Sequence, residues 1–299
     1  MRGNSRKSEG PDTMRSTRYG AAGLILAALT LSPHALGAGG ETVDRTTPAS
    51  TLELSYGLYV GGIALGKVAM SARFQGTDYK AISTLETSGI VNAFWQSKIE
   101  AASNGLVNQG DVRPALYDSF SRNRKDERRQ VTLTFGPEGP KQLVSDPPYP
   151  EARYKVSEDQ QRRTLDPLSA AVFLTNSVNA QNAKPCDAVA PIFDGRRRYD
   201  VALSFFKNAD VRMDNGLYRG PVSVCQVRYS QIAGYQQTLV EQGKRLPPMF
   251  AWVTPMRSKL DPSRQFMLPL RVWAETEYGI VVALASAAKV DGVALAAQN

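Results

Sequence analysis

Leu52-Glu53-Leu54-Ser55-Tyr56-Gly57-Leu58-Tyr59 sends Leu52, Leu54, Tyr56 and Leu58 to one face and Glu53, Ser55, Gly57 and Tyr59 to the other. Period two of this kind marks a strand with one buried face. The pattern resumes after a glycine turn, where Val68, Met70, Ala72 and Phe74 alternate with Lys67, Ala69, Ser71 and Arg73. It continues from Tyr79 to Glu86, with Tyr79, Ala81, Ser83 and Leu85 opposed to Lys80, Ile82, Thr84 and Glu86. Further strands are expected near 96–108, 115–123, 128–135, 198–207, 222–231, 249–256, 266–274 and 279–287. The more apolar stretch Gly89 to Trp95 interrupts this order as a helical turn or a loop, and Asp146-Pro147-Pro148-Tyr149-Pro150 breaks the sheet.

One segment reads as a helix. Asp166 is placed to cap it and Pro167 sits at the first helical position, where its missing N–H costs nothing. Leu168, Ala170, Ala171, Val172, Phe173 and Leu174 then leave almost no polar face, so the helix is expected to be buried. Antiparallel strands with one buried helix predict a mainly β fold: a curled antiparallel sheet or open barrel around, or plugged by, that short helix. Long helices do not alternate with the strands, which argues against a doubly wound parallel sheet.

The rest of the chain sets the compartment. Arg15 and Arg18 precede an apolar run from Tyr19 to Leu31, followed by Pro33 and the small residues Ala35, Gly37, Ala38, Gly39 and Gly40. This order predicts a cleaved signal peptide over residues 1–38 and a periplasmic location. The run is too short to span a bilayer, which needs about 20 apolar residues. Met1 and Met14 are alternative starts. A polar leader over 39–50, a single β-rich domain over 51–288 and a C-terminal tail over 289–299 complete the expected organisation.

Composition removes whole classes of chemistry. The 299 residues are 42% apolar and 21% charged, which excludes a disordered chain, a collagen, a coiled coil and a polytopic membrane protein. Net charge is +8, falling to +5 without residues 1–38, because that segment holds five cations against two carboxylates. The only histidine, His34, leaves with it, so no Ser-His-Asp or Cys-His nucleophile can be built. Two cysteines cannot make a four-thiolate metal site, and no metal, cofactor or catalytic residue is expected. Cys186 and Cys225 form an even pair in an exported chain, which reads as a structural disulfide, with two free buried thiols as the alternative.

Three motifs resemble sites and have plainer readings. Gly61-Gly62-Ile63-Ala64-Leu65-Gly66-Lys67 satisfies the start of a phosphate loop. Val68 stands where a hydroxyl is needed, and a strand follows instead of a helix, so no nucleotide is expected. Ser204-Phe205-Phe206-Lys207 matches a Ser-x-x-Lys spacing inside a strand-like segment, without the partner motifs of that chemistry. Arg122 to Arg129 carries its own carboxylates and reads as a solvated hairpin tip; Arg162 and Arg163 precede the helix. Arg196, Arg197 and Arg198 open another strand and are candidates for contact with an anionic lipid or glycan. Nucleic acid is not expected, since the chain is exported and has no recognition helix.

Several segments together resemble a known family. They are Leu54 to Gly66, Asp166-Pro167-Leu168-Ser169-Ala170-Ala171, Gly195-Arg196-Arg197-Arg198-Tyr199-Asp200, and Pro269-Leu270-Arg271-Val272 followed by Gly279. In order and spacing the chain resembles, over residues 50–288, an exported bacterial family catalogued as domain of unknown function 3108. The resemblance implies a curled antiparallel sheet similar in outline to periplasmic lipoprotein carriers, and no catalytic residues to carry over. Three functions follow as expectations. The first is a non-enzymatic carrier or binding module for an apolar or lipid-bearing ligand in the cell envelope, with Leu168, Ala171, Val172 and Phe173 lining the site. The second is an envelope interaction or scaffold protein without a ligand, and the third a carboxylate-based enzyme acting on glycans. Lipid and envelope protein are the expected partners, and the oligomeric state is left open.

Overall fold

A computed structural model describes residues 48–88, 97–108, 110–123, 125–149, 155–176, 186–236, 240–241, 246–277 and 279–295. All belong to the compact unit Asp44–Asn299. The expected signal segment and the Gly89–Trp95 interruption lie outside the described residues.

The described residues form one 14-stranded sheet. The strands are β1 (Ser50–Val60), β2 (Ile63–Gln75), β3 (Asp78–Thr87), β4 (Ser97–Asn108), β5 (Asp111–Asn123), β6 (Arg128–Gly136) and β7 (Gly139–Asp146), then β8 (Ala188–Phe193), β9 (Arg198–Arg212), β10 (Arg219–Ala233), β11 (Met249–Arg257), β12 (Gln265–Thr276), β13 (Gly279–Val290) and β14 (Val293–Ala294). Two helices, α1 (Glu158–Gln161) and α2 (Pro167–Asn176), lie between β7 and β8. The spatial order is β7-β6-β5-β4-β3-β2-β1-β13-β12-β11-β10-β9-β8, with β14 against β13. Two antiparallel meanders therefore meet where β1 pairs with β13, and their outer ends, β7 and β8, are the edges.

The eleven expected strands, three of them read from period two, are all present. The additional ones, β7, β8 and β14, are edge elements. Pro140 opens β7 and Pro191 sits in β8, and an edge is where a strand tolerates the lost N–H. Gly61 and Gly62, at φ +54° and +85°, make the turn between β1 and β2, and Lys67 lies in a strand, so the phosphate-loop spacing is a hairpin. The sheet also runs beyond the expected end at residue 288. Val290 is buried, Lys289 pairs with Glu53, and the Leu295 amide donates to the Ala288 carbonyl.

Strand pairing does not close the sheet, but the crossover between β7 and β8 bridges its edges. The Arg163 amide donates to Glu138 O in the β6–β7 turn, and Leu165 pairs with the free edge of β8 through Leu165 N to Pro191 O and Phe193 N to Leu165 O. Gly195, at φ +90°, follows β8 so close to the other edge that a Cβ there would lie 2.8 Å from Val131 Cγ1 and 3.1 Å from Leu143 Cδ1. The result is an open barrel whose seam is filled by irregular chain.

A second tie sits in the turn after β13. Asp291 Oδ1 accepts from Ser50 Oγ and Thr51 N at 2.9 and 2.8 Å, while Oδ2 accepts from Ser258 Oγ, Lys259 N and Leu260 N at 2.7, 2.8 and 3.1 Å. One carboxylate thus joins β1 to the β11–β12 connection. Partial burial works against its charge, yet the hydrogen bonds from Ser258, Thr51, Leu260 and Ser50 hold its pKa below the ordinary carboxylate value.

Candidate functional site

The α2 helix has the cap expected of it. Asp166 Oδ1 accepts from Leu168 N and Ser169 N at 3.0 and 2.9 Å. Its Oδ2 accepts from Ser103 Oγ on β4 at 3.0 Å and from Ser169 Oγ. With the Ser169 hydrogen given to Asp166, the Tyr79 hydroxyl on β3 is the donor in its 2.6 Å contact with Ser169 Oγ. Asp166, Ser169, Ser103 and Tyr79 are all buried, so the polar cluster pins the helix N-terminus to β3 and β4 from within the core. Burial raises the Asp166 carboxyl above its usual range against the pull of these hydrogen bonds, and it raises the Tyr79 phenol to about 12.

One face of α2 borders open space. A cavity of about 280 Å³, partly open to solvent, lies between Ala171, Leu174 and Thr175 and the strands β9 to β12. Its walls follow from strand geometry: alternate residues share a face, which pairs Val201 with Leu203, Cys225 with Val227 and Ala251 with Val253. A register shift between Trp252 and Val253 breaks the phase on β12, so Pro269 opposes Val253 while Val272 opposes Ala251. Met267, Pro269 and Val272 therefore complete the same wall.

The disulfide closes one side. Cys186 and Cys225 are bridged with Cα atoms 5.4 Å apart, and both line the cavity. Both faces of β10 to β12 are consequently buried at this level. Val222, Val224, Leu268 and Leu270 belong to the main core; Cys225, Ala251, Val253 and Met267 form a separate apolar cluster.

The lining chemistry is sparse. Thr175 and Asp187 are the polar side chains among the lining residues, and Thr175 Oγ1 is already bonded to Ala171 O at 2.7 Å. Among the described residues no cluster of three His, Cys, Asp or Glu could hold a metal ion. The volume is about twice that of a 150 Å³ apolar cavity that takes up benzene. It suits one ring or one short chain.

Of the four helix residues expected to line a site, Ala171 does so. Leu168 and Val172 are buried in the main core and Phe173 packs against it, because the helix presents that side to the sheet. The strand walls were legible only as period-two sets, with nothing in the sequence to say which sets enclose a void. The Asp166 cluster was legible as a cap alone; Ser103 and Tyr79 lie 63 and 87 residues upstream, and only the folded sheet brings them to it.

The arginine cluster is largely engaged by its own surroundings. The amides of Arg196 and Arg197 donate to Asp194 Oδ1 at 2.9 and 2.7 Å, shaping the β8–β9 turn. Arg198 Nη1 meets Asp200 Oδ1 at 2.5 Å, and its Nε donates to Gln160 O at 3.0 Å. The exposed Arg196 guanidinium shares the Tyr149 ring with Arg129, their Cζ atoms 5.7 and 4.6 Å from its centre. The Arg122–Arg129 segment forms the β5–β6 hairpin tip, where Arg128 pairs with Asp126. Ser204 and Lys207 are exposed on β9.

Among the described residues, no helix is long and apolar enough to cross a membrane. No curated protein matches the chain. A crystal structure of a β-barrel-like protein of domain of unknown function DUF1849 from Brucella abortus is similar at 8% identity and a TM-score of 0.45, over 82% of this chain and 98% of that one. Residues 53–286 match a family described as protein of unknown function DUF3108, and on that match the chain belongs to the DUF3108 family.

Proposed function

We propose that this protein is an exported, non-enzymatic carrier that shelters one apolar chain or ring in the cavity between α2 and strands β9 to β12. The observation that carries this reading is the cavity itself: about 280 Å³ walled by Ala171, Leu174, Val201, Leu203, Val253 and Met267, with a single charged residue, Asp187, on its border. Apolar walls with few polar groups are what a site for a hydrocarbon ligand requires. The size favours one acyl chain segment over a whole diacyl lipid. Export is supported by the bridge between Cys186 and Cys225 and by the charged, then apolar, then small residues of the N-terminal segment.

Native mass spectrometry of protein released gently from the periplasm tests the proposal. The expected result is a population carrying an added hydrocarbon mass that organic extraction removes. Protein that carries no such mass and takes up none from added alkyl compounds would leave a ligand-free scaffold as the better reading.

A further inference from the structure

The seam of the barrel gathers cations from three segments: the start of β6, the residues after β7 and the β8–β9 turn. That turn is held in place. A Cβ on Gly195 would lie 2.8 Å from Val131 Cγ1 and 3.1 Å from Leu143 Cδ1, and one on Gly234 would lie 2.2 Å from Arg196 O and 2.9 Å from Arg197 Cα. The backbone that carries Arg196 and Arg197 is therefore clasped by β6, β7 and the chain after β10.

The guanidiniums are less occupied than this backbone. Arg129 is fixed through Nη1, which donates to Pro147 O at 2.6 Å and to Ser145 Oγ at 3.3 Å. Its Cζ lies 4.6 Å from the Tyr149 ring centre, and that of Arg196 lies 5.7 Å from the same ring. Arg197 Cζ is 5.9 Å from the ring centre of Tyr235, whose hydroxyl is bonded to that of Tyr229 at 2.5 Å. Among the described residues none of these three arginines has a carboxylate within ion-pair distance, whereas Arg198 meets Asp200. The Tyr149 hydroxyl has no hydrogen-bond partner among them either.

All three arginines act on one phenol. Burial raises the Tyr149 pKa and Asp194 adds to the rise, while Arg129, Arg196 and Arg197 each pull it down. Asp194 itself is turned to its own loop, where Oδ1 accepts from the amides of Arg196 and Arg197. Three guanidiniums against this one carboxylate leave two positive charges unanswered beside the Tyr149 hydroxyl. A phosphate monoester carries about −1.5 to −2 at neutral pH, which matches that excess. Guanidinium forks fit its oxygens in pairs, and stacking on tyrosine rings holds the forks ready.

We infer that Arg129, Arg196, Arg197 and the Tyr149 hydroxyl form a site for a phosphate monoester at the barrel seam, with the guanidiniums and the phenol donating to its oxygens. The inference stands apart from the proposed carrier role, because none of these four residues lines the cavity.

Isothermal titration calorimetry of the full chain at fixed ionic strength tests it, with glycerol phosphate, a monoester dianion, against dimethyl phosphate, a diester monoanion. Co-sedimentation supplies the second arm, using phosphatidylcholine vesicles that contain either phosphatidic acid, a monoester headgroup, or phosphatidylglycerol, a diester. Saturable binding of the monoester in at least one form is expected, and the form that binds tells a soluble ligand from a lipid headgroup. Arg196→Gln should weaken it about tenfold, the effect of one lost hydrogen bond between charged groups. Tyr149→Phe should weaken it about threefold, as loss of one neutral donor does. Arg196 is exposed and Phe keeps the Tyr149 ring, so both variants should fold, as circular dichroism can confirm. Three results would overturn the inference: no binding of either monoester form, diester bound as tightly as monoester, or both variants binding like wild type. Ala171→Trp should leave monoester binding intact, which separates failure of this site from failure of the cavity.

Discussion

Two faces of α2 meet different environments within ten residues. At its N-terminal end every polar group is matched: Asp166 takes hydrogen bonds from two amides and two hydroxyls, and Leu168 is packed in the main core. Along one face from the middle onward, Ala171 and Leu174 border a void of about 280 Å³, while Val172 on the other side is buried in the main core. A short helix anchored at its start and packed along one face can serve as a rigid wall along the other. The difference shows how a barrel interior holds both a core and a cavity, with a buried carboxylate as the fixed point between them.

The comparison breaks first if the two leucines behave alike. Leu168→Ala is expected to cost about 3 kcal/mol, as a side chain removed from close packing does. Leu174→Ala should cost less than half of that, because its side chain already borders empty space. Equal losses in denaturant unfolding would show that the two leucines are equally well packed. Asp166→Ala comes next, at roughly 2–3 kcal/mol, since it removes the cap and two hydroxyl hydrogen bonds, leaving Ser103 and Ser169 bonded to each other and to Tyr79. A loss below about 0.5 kcal/mol would mean that the anchor contributes little.

Ala171→Trp sharpens the contrast from the other side. In a filled core the added ring would cost about 1–3 kcal/mol through overpacking. With a cavity to receive it, the free energy of unfolding should change by less than about 1 kcal/mol. A larger destabilisation would argue that the space is not accessible to side chains.

The smallest effects are those of pH, and two carboxylates give them opposite signs. The folded state raises the Asp166 pKa by burial, so it keeps a proton that the unfolded chain has lost. Stability from this group therefore declines as pH rises from about 4 toward that raised value. Asp291 is held below the ordinary value by its hydrogen bonds from Ser258, Thr51, Leu260 and Ser50; its stabilisation is present above about pH 4 and is lost as pH falls through the depressed pKa. Asp166→Asn should flatten the profile above pH 4, and Asp291→Asn the profile below it, both read by thermal unfolding. Swapped effects would contradict the assignment.

Much of the fold was legible because period two is a local signal. The strand from Leu52 to Leu58 announces its buried face without reference to any partner, and the Asp166-Pro167 start of α2 needs only its own backbone. β7 and β8 were not legible: Gly139-Pro140 and Pro191 break the pattern, and edges need fewer apolar residues because one side has no neighbour. The helix was read as apolar all round, which is true of its composition, but composition does not say which side meets packed atoms and which meets space. Ala171 and Phe173 are two residues apart in the sequence, and only the sheet decides that the first faces the cavity. The bulge that sets Val272 against Ala251 is likewise a property of paired strands.

The most direct test is a titration of purified protein with a fluorescent alkyl probe, wild type against Ala171→Trp, with circular dichroism to confirm the fold of both. Saturable binding of one probe per chain by wild type, and at least tenfold weaker binding by folded Ala171→Trp, is the predicted result. Equal binding by the two, or none by wild type, would contradict a ligand site between α2 and strands β9 to β12.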